Sequence, residues 1–135
     1  MTERVYRWEL AYRMTRGGRS EPLLSVAFSY TRTTANFHGL VDSGAERSAC
    51  SVQIARLAGI NLDEFPIERV RGVGGIIRAR RCPIDLLILG RRIGTEILVV
   101  ETNVVLLGRR DLFAAFQFGF DERSSTLLVE PYDEA

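Results

Sequence analysis

A chain of 135 residues has room for one domain, 1–135, and not for two, and it is long enough to bury a core without disulfide or metal staples. Hydrophobic residues at 46% and charged residues at 26% exclude a disordered chain, and a formal net charge of +1 leaves no electrostatic case for nucleic acid. Cys50, Cys82 and the lone His38 have no metal-ligand spacing and make no disulfide framework, so no metal or other cofactor is expected.

The N-terminal Met1-Thr2-Glu3-Arg4 leads into no apolar run of signal length. Residues 5–14 then alternate, with Tyr6, Trp8, Leu10 and Tyr12 on one face, which predicts a half-buried strand. A loop at 16–20 precedes a second strand over 23–30, with Leu24, Val26, Phe28 and Tyr30 on one face, and a third over 34–41. Residues 51–58 predict a helix: Val52, Ile54, Ala55 and Ala58 recur at near-helical spacing, Ser51 can cap the start and Gly59 can end it. A strand over 67–71 is broken by Gly72-Val73-Gly74-Gly75 and resumes over 76–88, forming a hairpin with a glycine-rich tip. After a turn at Gly90-Arg91-Arg92 come a strand over 93–100 and a short, wholly apolar strand over 104–107. A short helix over 111–116, with Phe113 and Phe116 inward, leads to strands at 117–120 and 126–129. So many short strands with turns between them predict a closed or partly closed β-barrel or sandwich.

The apolar stretches 84–89 and 97–100 are too short to span a bilayer, so no membrane partner is expected. Free buried thiols suit a reducing compartment, and the expected location is cytoplasmic. All 18 basic residues are arginine. Codon bias explains this without function; a surface selected for guanidinium contacts is the functional alternative. Arg78, Arg80 and Arg81 are expected on a solvated hairpin arm.

The chemistry concentrates at Asp42. It leaves an apolar strand end, Leu40-Val41, and enters Ser43-Gly44-Ala45, a tight bend in which Gly44 permits close backbone approach. Asp-Ser-Gly is also common turn chemistry, so the tripeptide by itself is weak. Two further segments strengthen it: the glycine-tipped hairpin, and Val104-Val105-Leu106-Leu107-Gly108-Arg109, an apolar strand ending in Gly-Arg before a helix.

In that order, acid loop, glycine-tipped hairpin and apolar-apolar-Gly-Arg, residues 23–120 resemble the retropepsins, the single-domain aspartic proteases of the retroviral type, and within them the bacterial and cellular branch. The resemblance implies a mostly β, retropepsin-like barrel with one or two short helices, forming one half of a two-fold dimer. It implies that Asp42 is the catalytic aspartate, that Ser43 cross-links the two acid loops, and that Gly44 receives substrate amides on its carbonyl. Ala45 and Glu46 complete that loop. Arg71, Gly72, Val73, Gly74 and Gly75 become the flap; Val104 and Leu106 become pocket walls; Leu107, Gly108, Arg109 and Asp111 become the brace beneath the loop. Partners would be a second copy of the chain and a peptide or protein substrate.

Three residues depart from the family pattern: Glu46, where Asp, Ser or Thr is common; Arg71, where viral members often carry Gly; and Arg110, inserted before Asp111. Only one Asp-Ser-Gly exists in the chain, so the second carboxylate of an acid pair must come from another copy. Two alternatives accompany the expected homodimeric endopeptidase: a non-catalytic peptide-binding or dimerisation module on the same fold, and an unrelated small barrel with a chance Asp-Ser-Gly. Strands 5–12 and 126–129 are candidates for pairing between chains.

Overall fold

The computed structural model describes residues 5–72 and 74–132. Alternation of apolar side chains sets the architecture. In β4 (Leu23–Tyr30), Leu24, Val26 and Phe28 are buried and the intervening positions are not. β4 pairs antiparallel with β5 (Thr33–Val41), and the same rule governs β8 (Gly75–Ile88) and β9 (Arg91–Val99), which bury Ile84, Leu86, Ile88, Ile97 and Val99. One face of every strand therefore needs a partner layer, and the sheet supplies it by closing on itself. Its order is β4-β5-β10-β6-β9-β8, with β6 (Ala49–Cys50) and β10 (Val105–Leu107) inside the sheet, and β8 returns to pair with β4. β7 (Ile67–Gly72) continues the sheet beyond β8, and β7 and β8 form the glycine-tipped hairpin. The fold is mostly β, as expected. Full burial of Phe28, Leu86, Ile88, Ile97 and Leu107 stabilises the closed form by about 1.5–3 kcal/mol each.

The helix expected at 51–58 is α1 (Val52–Leu57). Ser51 Oγ accepts the Ile54 N–H at 3.1 Å, and Gly59 follows at φ +87°. The second helix, α2 (Leu112–Ala115), is shorter than its prediction because Phe116 already belongs to a strand.

The expected strand over 5–14 is split into β1 (Trp8–Ala11) and β2 (Arg13–Met14). β1 pairs with β12 (Thr126–Pro131) only as far as Thr126, where that partner ends; β2 then turns to a two-residue pairing with β3 (Ser20–Glu21). The turn expected at 90–92 lies one residue earlier, at Leu89-Gly90, both at positive φ, because Ile88 registers with Arg91. The C-terminal strands β11 (Phe116–Asp121) and β12 join β1 in a separate sheet of order β1-β12-β11. β12 thus has both edges filled by its own chain, so 126–129 is not free to pair with a second copy; only the outer edges of β1 and β11 remain open in that sheet among the described residues.

The hairpin arm also differs from its expectation. Arg80 is half-buried, and its Nη1 donates to the Leu62 carbonyl at 2.8 Å and to the Phe65 carbonyl, tying β8 to the 3-10 turn Leu62–Glu64. No helix among the described residues is long and apolar enough to cross a membrane.

Candidate active site

Strand order determines where Asp42 stands. β10 lies parallel to β5, with Leu107 opposite Val41, and antiparallel to β6 on its other side. The connection from β5 to β6 must therefore arch over the end of β10, and Asp42 is its first residue. The Asp42 N–H donates to the Leu107 carbonyl at 3.1 Å, continuing the ladder one step past the strand. The chain then turns back: Ala45 N–H donates to the Asp42 carbonyl at 3.2 Å, and Gly44 N–H donates to Asp42 Oδ1 at 2.9 Å. A carboxylate held by its own loop in this way points in one direction and loses little freedom when it reacts.

The brace beneath the loop comes from the Gly108 segment. Arg109 N–H donates to the Ala45 carbonyl and Arg110 N–H to the Glu46 carbonyl, both at 2.9 Å. A Cβ at Gly108 would lie 2.5 Å from the Arg47 carbonyl carbon, so the two backbones approach as closely as only glycine permits. Ser48 and Asp111, both buried, complete the joint. The Ser48 hydroxyl lies 2.9 and 2.8 Å from the two Asp111 carboxyl oxygens and accepts the Gly108 N–H at 3.0 Å. Asp111 Oδ1 also accepts the Leu112 N–H at 2.9 Å at the start of α2. The helix start, the end of β10 and the end of the acid loop thus share one hydrogen-bonded knot. Leu107 is fully buried below it. Sequence reasoning missed Ser48; a lone serine between a loop and a two-residue strand carries no pattern that would point to a contact 63 positions away.

Asp42 opens into a cleft of about 890 Å³. Gly44, Ala45 and Glu46 flank the acid, Leu98, Val100 and Leu106 form an apolar wall, and Val70, Gly72 and Ile77 of the β7–β8 hairpin cover it. Arg71 and Arg109 also reach the cleft. Ser43 is exposed beside it, Asp111 lies in the knot beneath, and Gly74 and Gly75 sit at the hairpin tip at φ +101° and +123°. Val73 lies outside the described residues. Val104 is not brought to the cleft: it is 43% exposed and lines a separate hollow with Thr15, Leu23 and His38. Arg47, Arg69 and Arg81 line the cleft without having been singled out from the sequence for it. Adjacent Ile76 and Ile77 carry no alternation that would single out Ile77, and for Leu98 and Val100 only the barrel brings them there.

Other reactive groups stay out of the site. Burial pushes the Cys50 thiol up to about 12, helped by neighbouring Cys82, and pushes Cys82 up to about 11 against the opposing pull of Arg80. Both are fully buried, so neither is a ready nucleophile. No group of three or more His, Cys, Asp or Glu among the described residues is placed to hold a metal.

No family model matches this sequence, and no curated protein matches it. Its fold does match a solved structure, the EIAV protease complexed with the inhibitor HBY-793: the TM-score is 0.54 and the identity 24%, over 70% of this chain and 88% of that one. With the closed barrel, the acid loop over β10 and the β7–β8 hairpin, that match establishes that this chain has a retropepsin-like fold.

Proposed function

We propose that the chain is an aspartic endopeptidase, active as a homodimer, that hydrolyses peptide bonds with a water activated between two Asp42 carboxylates, one from each copy. The observation that carries this reading is the position of Asp42, hydrogen-bonded into its own turn at the base of a cleft covered by a glycine-tipped hairpin. Amide hydrolysis at mild pH needs a base for water and an acid for the carbonyl oxygen and leaving nitrogen. Two carboxylates too close to ionise together share one proton and supply both. Ser43, exposed beside the acid, suits contact with the second copy's loop. Gly44 offers its carbonyl to a peptide, residues 71–75 form the flap, and Leu106 is a pocket wall. Val104 enters this reading only as a wall facing the second copy. The free, buried thiols fit a reducing, cytoplasmic setting.

Asp42→Asn tests the reading. The variant should lose peptide cleavage while sedimenting as the same dimer as wild type. Cleavage at the wild-type rate would remove Asp42 from the chemistry, and a wild-type protein that stays monomeric at high concentration would remove the paired site.

A second reading, a non-catalytic peptide-binding or dimerisation module, is favoured by the departures at Glu46 and Arg71. Glu46 Oε1 lies 3.9 Å from Arg110 Nε, directed toward a cation of its own chain. Binding of a peptide library without products, at both acidic and neutral pH, would select this module.

A further inference from the structure

The charge lining the cleft does not match the charge of the chain. The whole sequence balances 18 basic against 17 acidic residues, yet the cleft is lined by five arginines, Arg47, Arg69, Arg71, Arg81 and Arg109, and by two acids, Asp42 and Glu46. Arg81 is committed, with its Nε 3.3 Å from Glu68 Oε2. Among the described residues, Arg47, Arg69, Arg71 and Arg109 have no carboxylate within ion-pair distance. Arg69 and Arg71, two apart on β7, share the strand face opposite Val70 and Gly72 and reach the cleft at its edge. A guanidinium fork matches a carboxylate in shape as well as charge.

We propose that the cleft selects extended peptides carrying Asp or Glu side chains on either side of the segment held over Asp42. The apolar wall of Leu98, Val100 and Leu106 takes the central side chains, and the unpaired guanidiniums take the acidic ones. As a statement about substrates this rests on the peptidase reading; as a statement about binding it does not. A chain of net charge +1 has no overall basic excess of the kind a nucleic acid engages, and a cleft with an apolar wall of Leu98, Val100 and Leu106 suits a peptide.

The test uses three fluorogenic peptides with one common apolar centre and Glu, Gln or Lys at the flanking positions. Cleavage by the full chain is measured at low and high salt, and binding of the same peptides to Asp42→Asn protein is followed by fluorescence anisotropy. The expected order is Glu, then Gln, then Lys, with about a tenfold advantage of Glu over Gln at low salt that shrinks as salt screens the contacts. Arg69→Glu combined with Arg71→Glu should weaken or invert that order. Cleavage with no preference among the three overturns the selectivity and leaves the peptidase standing. Acid-selective binding with no cleavage of any peptide overturns the peptidase and leaves the selectivity standing. Failure of all three to bind, or tighter binding of a single-stranded oligonucleotide of equal charge, overturns the proposal.

Discussion

Replacing Gly108 by alanine tests whether the brace positions the acid loop. The added methyl would lie 2.5 Å from the Arg47 carbonyl carbon, 2.7 Å from its oxygen and 2.9 Å from its Cα. All three are backbone atoms, so no side chain can swing aside. Restoring an ordinary contact at about 3.4 Å requires the loop to retreat by roughly 0.9 Å. Overpacking of this kind costs about 1–3 kcal/mol, which in a domain of this size lowers Tm by roughly 3–12 °C. The same displacement moves Asp42, and a shift near 1 Å at a reacting group costs about 10²-fold in rate. Gly94→Ala is the matched control: its nearest neighbour, Asp85 Oδ1, would lie at an ordinary 3.4 Å, and losing a glycine from an exposed strand position should stabilise by about 0.5 kcal/mol. Thermal melts and peptide-cleavage rates of both variants give the comparison. If Gly108→Ala melts no lower than Gly94→Ala and cleaves as well, the close contact does not brace the acid loop.

Ser48→Ala removes the hydroxyl shared by Asp111 and Gly108 and should cost about 2–3 kcal/mol in urea unfolding, because it leaves a buried carboxyl and a buried N–H short of partners. Burial, with a 2.7 Å hydrogen bond to Glu122, pushes the Tyr12 hydroxyl up to about 12. The folded state therefore holds that proton more tightly than the unfolded chain, whose tyrosine titrates near 10. The resulting stability is fully present below pH 10 and is lost as pH rises through 12; Tyr12→Phe should flatten that part of the curve of stability against pH. Cys50 and Cys82 should resist iodoacetamide at pH 8 in the folded protein and react at once in denaturant, as read by mass spectrometry.

Alternation along 23–30 and along the second arm of the hairpin made the barrel legible, because a strand with one apolar face states which side must be covered. The caps of α1 were legible for a similar reason: Ser51 and Gly59 act on backbone groups within a turn of themselves. Local information failed where a partner decided the outcome. Residues 5–14 look like one strand, and only the end of β12 at Thr126 breaks them in two. Arg80 looks like a solvated arm residue, and only the carbonyls of Leu62 and Phe65 draw it inward. At the site, the acid motif, the glycine-tipped hairpin and Leu106-Leu107-Gly108 could be read as three short strings of residue types. The knot through Ser48 and Asp111, the separation of Val104 from the cleft, and the gathering of five arginines around Asp42 could not. The sequence alone determined which residues can do acid chemistry and the periodicity of the walls, since both depend on side-chain identity and on the two-residue repeat of a strand. Tertiary structure decided what surrounds the acid, because a closed barrel brings together side chains up to 67 positions apart, from Asp42 to Arg109, by a strand order that no local pattern contains.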